Sequence, residues 1–214
     1  SRMKPEIWDD YDHWILARLA EFTESIASCF KNFDLAPLRH LIYRFFWNDF
    51  CDWYVEASKG KLKTGGDSTG NCLAIQDFVL RQVLQLAHPV IPHITEELWA
   101  QLGYGQSDKL LIEKTTILKA EWMKEQLAFS ESAVERVNAM QSLIQEARAL
   151  KAQYKIANKR DLTLYFDKDA KEQLVILENQ DRIQTLAGFA QVVGINKSEA
   201  DGMVAVSTLL GTIY

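Results

Sequence analysis

Cysteine is scarce in this sequence, with only Cys29, Cys51 and Cys72 among 214 residues. The three are odd in number, widely spaced and form no Cys-x-x-Cys pair, which argues against a disulfide framework and for reduced core thiols in a cytoplasmic protein. Long apolar runs are also missing: none approaches the roughly 18 residues of a membrane span, and no signal-peptide pattern opens the chain. Positive charge is in deficit, 24 Lys and Arg against 29 Asp and Glu, a formal net charge of −5. That balance counts against indiscriminate nucleic-acid binding, whose usual footprint is a large positive field, yet leaves room for a local basic patch that holds a folded RNA. No internal repeat or low-complexity tract is evident. The first residue is Ser1 rather than methionine, which suggests a piece of a longer protein or residues added ahead of Met3.

What is present is globular: 48% hydrophobic and 25% charged residues, enough chain for one or two domains with a substantial core. Tyr11, Ile15, Leu19, Phe22, Ile26 and Phe30 step by three or four, which predicts an amphipathic helix opening in the acidic pair Asp9-Asp10, where negative charge complements the helix dipole. A second helix is expected from about Leu35 to Lys59, capped by Asp34, tolerating Pro37 in its first turn and ending at Gly60. The polar, glycine-rich stretch Lys61 to Gly70 reads as a mobile connection. A third helix, from about Leu73, stops at the two prolines of His88-Pro89-Val90-Ile91-Pro92, and Thr95 is placed to cap a short fourth that ends before Gly103. A long helix follows over roughly Met123 to Gln153, with Val137, Met140, Ile144 and Ala147 inward. Beyond it the period changes: Leu162 to Phe166 reads as a strand, Lys168 to Leu177 as a helix, and Ala190 to Ile195 and Met203 to Ser207 as strands. The fold class expected is mainly α, a helical bundle over residues 1–120 followed by a long helix and a small α/β region over 121–214.

The densest feature is the run from Tyr43 to Tyr54. At α-helical spacing Tyr43, Phe46, Trp47, Phe50, Trp53 and Tyr54 gather on one broad face, as the central element of a bundle requires, and they read as core. Arg39, Arg44 and Asn48 form a polar seam beside them that can reach RNA. Asp49, Asp52 and Glu56 are spaced like carboxylate ligands, but no Glu-x-x-His pair completes a metal site, so no metal is expected. Trp14 lies at the edge of the first helix's apolar stripe with Arg18 one turn along. An exposed indole beside a guanidinium suits unpaired bases, the ring stacking on a base and the cation meeting phosphate or a base edge; the competing reading packs Trp14 under the next helix. Arg148, Lys151 and Lys155 place three cations along one ridge, extended by Lys159-Arg160, either a phosphate-contacting patch or a solvated basic face. The four histidines, His13, His40, His88 and His93, are dispersed, and none reads as catalytic.

Three segments carry a family resemblance. Trp47 to Lys59 resembles the anticodon-binding helix of valyl-tRNA synthetases, with Cys51-Asp52-Trp53-Tyr54 favouring that branch. Asp12 to Leu19 is similar to the segment that opens this domain in valyl, isoleucyl and leucyl enzymes, and His88 to Trp99 to a later segment of the same domain. The resemblance covers about Trp8 to Ile195 and weakens past Lys155. It implies anticodon recognition and positioning of valine tRNA through its anticodon stem-loop, with the central adenine and the following cytosine of the anticodon read. Trp14, Arg18, Arg44 and Asn48 are the candidate anticodon contacts, and Arg148, Lys151 and Lys155 the candidate backbone contacts. No HIGH-like or KMSKS-like segment and no heptad-rich tail occur. Catalytic residues and cofactors are therefore not expected here; ATP with magnesium is implied for the catalytic domain of the parent ligase. A monomer is expected. Alternatives are the equivalent domain of an isoleucyl-type synthetase and a helical protein-interaction module without RNA binding. A prenyl-transfer enzyme, prompted by Asp9-Asp10-Tyr11-Asp12, lacks the second acidic magnesium motif it needs.

Overall fold

A computed structural model of the chain describes residues 3–104 and 128–214, which form two compact units that meet in sequence at Ser130 and Glu131. The boundary expected near residue 120, and the start of the long helix near Met123, lie outside the described residues.

The first unit is helical. A short 3-10 turn, Pro5–Ile7, leads into α1, Asp10–Lys31. Asp9 caps α1: its carboxylate accepts the Asp12 amide, and the Asp12 carboxylate accepts the Asp9 amide. This reciprocal pair satisfies amides that have no partner within the helix. The expected stripe faces inward, with Tyr11, Ile15, Leu19, Phe22 and Ile26 all buried.

The second helix differs from expectation at both ends and in the middle. It begins at Leu38, with Pro37 rather than Asp34 in the cap position and no side-chain cap. It continues as one rod: α2 (Leu38–Tyr43), a π-helical segment (Arg44–Val55) and α3 (Glu56–Thr64). Backbone angles at both junctions stay helical, φ −60° and ψ −49° at Arg44 and φ −63° and ψ −43° at Val55, so the rod does not break. Gly60 does not end it. The break falls at Gly65, whose φ of 75° is a conformation that a side chain disfavours.

Nor is Lys61 to Gly70 a loop. α4, Gly66–Ala87, starts directly after Gly65. Polar composition misleads here because the polar groups have partners. The Lys61 ammonium pairs with Asp12 at 2.6 Å and Asp9 at 2.9 Å, and the Thr69 hydroxyl donates to the Lys61 carbonyl at 2.6 Å. Asp12, fully buried, also accepts the Tyr54 hydroxyl at 2.8 Å, which joins α1 to both the π-helical segment and α3 of the rod through one carboxylate. Burial, and the negative charge of Asp12, push the Tyr54 phenol well above its ordinary value, so it stays a donor.

α5, Pro92–Gln101, takes its proline at the first position, where the missing amide costs nothing. Thr95 is inside this helix rather than at its cap; its hydroxyl bonds back to Ile91 O at 2.9 Å and meets His88 Nδ1 at 2.9 Å. Leu84 of α4 and Trp99 of α5 are buried together, with Leu80 and Tyr104 against them.

The second unit opens with α6, Glu131–Gln153, whose Val137, Met140, Ile144 and Ala147 are fully buried. β1 (Thr163–Asp167) and β2 (Gln191–Ile195) pair in parallel, with Phe166 opposite Gly194, and are joined by α7 (Gln173–Glu178) and α8 (Gln180–Ala187). The single helix expected over Lys168 to Leu177 is thus shorter and later, and α8 is additional. β3 (Val206–Thr208) and β4 (Gly211–Ile213) form a hairpin that sets β4 antiparallel to β1, giving the order β2-β1-β4-β3. A helical bundle followed by a small α/β region is the architecture.

Candidate nucleic-acid interface

The π-helical segment decides which rings face solvent. Its ladder of i→i+5 bonds holds more residues per turn than the 3.6 of an α-helix. Buried residues accordingly recur at steps of four and five: Phe45, then Asp49 and Phe50, then Trp53 and Tyr54. Tyr43, Arg44, Trp47, Asn48 and Asp52 follow the same rhythm on the outside. Tyr43 is 58% exposed and Trp47 50% exposed, against the expectation that both are core. The two rings lie 6.4 Å apart, with Phe46 holding the indole edge-on at 5.8 Å.

Beside this stripe a cleft of about 140 Å³ opens, walled by Arg18 and Glu21 of α1 and by Arg44 and Asp49 of the rod. Phe22 and Phe45 also line it, stacked with centroids 4.6 Å apart and planes 1° from parallel. Arg18 lies across the cleft on two acids. Its Nε and Nη2 donate to Asp49 Oδ2 at 3.0 and 2.9 Å, and its Nη1 pairs with Glu21. Burial pushes the Asp49 carboxyl above its ordinary value, and the Arg18 guanidinium, then that of Arg44, pull it only part of the way back. Two guanidiniums against two carboxylates give no strong phosphate field. They give instead an oriented set of donors over an apolar floor, which suits the edge of a base.

The sequence-predicted residues divide. Arg18 and Arg44 both line the cleft, Arg18 half-buried and Arg44 exposed, while Asn48 is exposed on the outer stripe and does not line it. Trp14 is on neither: it is 2% exposed and packs edge-on against Tyr11, 6.4 Å between centroids. An indole so enclosed cannot stack on a base without leaving the core, so the exposed-indole reading is corrected. Trp47 and Tyr43, which the 3.6-residue wheel assigns to the core, occupy the surface instead.

In the second unit the ridge is also altered. Lys151 is 5% exposed; its ammonium donates to the carbonyls of Lys159 at 2.7 Å and Gly188 at 2.6 Å and sits 4.8 Å over the Phe189 ring. It is a buried tie, not a solvent-facing contact. Arg148 donates through Nε and Nη2 to the Leu186 carbonyl at 2.9 and 2.5 Å, covering the C-terminal end of α8. Lys155 is exposed just past α6, with a φ of 56°. Of the carboxylates weighed as metal ligands, Asp49 is held by Arg18, Glu56 pairs with Lys59, and Asp52 is exposed. Among the described residues no cluster of three or more potential ligands is gathered, and no helix is long and apolar enough to cross a membrane.

The chain is similar in sequence to known proteins. The chain is 35% identical over 197 residues to the valine–tRNA ligase of Lactiplantibacillus plantarum, an alignment that covers 86% of this chain and 21% of that protein. It is 30% identical over 187 residues to that of Thermotoga maritima, covering 87% and 20%. With the enzyme of Deinococcus radiodurans the identity is 29% over 207 residues, covering 94% and 21%. The chain therefore spans about a fifth of the length of these curated relatives. Residues 12–166 match the family described as the anticodon-binding domain of tRNA ligase. With that match covering most of its length, the chain belongs to the anticodon-binding domain family of tRNA ligases.

Proposed function

We propose that this chain is the anticodon-reading part of a valine–tRNA ligase, which docks the anticodon stem-loop of valine tRNA and orients the tRNA for a catalytic domain elsewhere in the parent enzyme. The observation that carries the reading is the outer stripe of the rod, where Tyr43, Trp47 and Asn48 stand exposed and Arg44, on the same stripe, also lines the Arg18–Asp49 cleft. An unpaired base stacks on the exposed indole, an interaction worth about 1–3 kcal/mol per base. Arg18 and Arg44 donate to acceptors on a base edge, and the Asn48 amide both donates and accepts. Asp49 and Glu21 fix the Arg18 guanidinium before RNA arrives, which lowers the ordering entropy lost on binding.

The domain selects and positions; activation of valine, with ATP and magnesium, belongs to the other domain. A monomer in the cytoplasm completes the proposal. An isoleucyl-type domain would present the same kind of surface, but the relatives described above are valine–tRNA ligases. Competition between the valine and isoleucine anticodon stem-loops for the chain separates the two. Displacement of labelled valine stem-loop by its own unlabelled form, and not by the isoleucine form, is expected; equal displacement by both overturns the valine assignment.

A further inference from the structure

α5 carries two adjacent ridges, and the first unit buries only one of them. Thr95 and Trp99 face inward, Trp99 packed with Leu84, Leu80 and Tyr104. One position before each, Ile94 and Leu98 belong to a second ridge, which begins at Ile91 and ends at Leu102 in steps of three, four and four. All four side chains meet water: Ile94 is 52% exposed, Leu102 46%, Ile91 43% and Leu98 36%. The ridge is held at both ends by bonds that use none of its side chains. At one end the Thr95 hydroxyl donates to Ile91 O and meets His88 Nδ1, each at 2.9 Å. At the other the Tyr104 hydroxyl donates to Asp77 of α4 at 2.8 Å, with the Arg81 guanidinium 4.6 Å over its ring. A line of aliphatic side chains fixed in place and turned outward marks a protein contact. α5 has Glu96 and Glu97 but no Lys or Arg, so the face has nothing with which to neutralise RNA phosphate.

Area decides the occupant. Full burial of an Ile or Leu removes roughly 60–120 Å² of apolar surface, so this half-exposed ridge offers roughly 100–250 Å². A stable interface between separate molecules takes about 800 Å² from each partner, so the ridge does not hold a second copy. A neighbour in the same chain needs less, because the covalent link already supplies a millimolar effective concentration. In the curated relatives about four fifths of the protein lies outside the matched region, so such a neighbour is at hand. We propose that the ridge from Ile91 to Leu102 docks an apolar surface of the parent ligase's catalytic domain. The inference rests on the reading that this chain is one part of such a ligase. It assigns the bundle a protein-facing side on α5, separate from the RNA-facing stripe of the rod.

The test compares this chain alone with the full-length parent, each carrying Leu98→Cys or, as a control on the polar side of α5, the exposed Ala100→Cys. Maleimide labelling is read by mass spectrometry of the peptide that carries the new thiol. Position 98 is expected to label at least about tenfold more slowly in the parent, as a contact closed about nine-tenths of the time requires, while position 100 labels alike in both. Adding Ile94→Glu to the parent should return position 98 to its rate in the chain alone, without changing the chain's own melting temperature or its affinity for the valine anticodon stem-loop. Equal labelling of position 98 in chain and parent overturns the proposal. Labelling of the chain alone that slows as its concentration rises also overturns it, because the occupant is then a second copy. A parent that protects position 98 yet attaches no valine to tRNA would refute the ligase reading and leave this contact standing.

Discussion

Trp47 and Trp14 make opposite demands on one pair of substitutions. Trp47 is half exposed, so its ring covers roughly 100 Å² of the 150–250 Å² that a fully buried aromatic would. At about 25 cal/mol per Å², Trp47→Ala costs folding at most about 2.5 kcal/mol, an upper bound because the unfolded chain buries part of that area too. If a base stacks on the indole, the same substitution removes about 1–3 kcal/mol from binding, a loss of about fivefold to about a hundredfold in affinity for the valine anticodon stem-loop. Trp47→Phe keeps an aromatic face and should recover part of it. Trp14 is enclosed, and Trp14→Ala should cost folding about 3–5 kcal/mol. Whatever Trp14→Ala does to affinity should follow the fraction unfolded. Fluorescence anisotropy for binding, with urea denaturation for stability, reads both quantities on the same samples. Trp47→Ala that binds as tightly as the parent while remaining folded refutes the stacking site.

Two further outcomes follow from buried charges. Lys61→Met leaves the fully buried Asp12 carboxylate without its ammonium partner and should destabilise the first unit by about 3–5 kcal/mol in urea denaturation; a loss under 1 kcal/mol would show that Lys61 is only a solvated side chain. Asp49 has a folded carboxyl value raised above its ordinary 3.8, so the folded state favours the proton. Its contribution to stability is present below 3.8 and declines as pH rises through the higher folded value. The melting temperature of the parent, relative to Asp49→Asn, should therefore fall as pH climbs through that window; a relative rise would mean that the Arg18 pairing outweighs burial.

Much of the fold was legible because α1 and α6 obey one period along their length: the stripe through Ile15 and Leu19, and that through Met140 and Ile144, are buried as spaced. The rod was misread because its period is not 3.6. Nothing in the aromatic run marks a switch to i→i+5 bonding, and a wheel drawn at 100° per residue turns Trp47 inward and leaves its stacking face unseen. Lys61 to Gly70 was misread for another reason. Polarity signals a loop only when the polar groups face water, and here Asp9 and Asp12, about fifty residues upstream, supply the partners. The ridge expected of Arg148, Lys151 and Lys155 does not form, because α6 ends at Gln153 before Lys155 and because spacing cannot show that Lys151 turns toward the carbonyls at the end of α8. The strand expected over Met203 to Ser207 overlaps β3 (Val206–Thr208) only at its end, and β4 had no counterpart, because strands of three residues are too short for alternation to fix their bounds.

The central claim is that the exposed stripe of the rod reads an anticodon. Equilibrium binding of valine tRNA and of the same tRNA with its central anticodon base replaced, both to the unmodified chain, tests it most directly. The account predicts that the substituted tRNA binds at least about tenfold more weakly, as the loss of a base-edge contact worth about 1–3 kcal/mol requires. Equal affinity for the two tRNAs would contradict it.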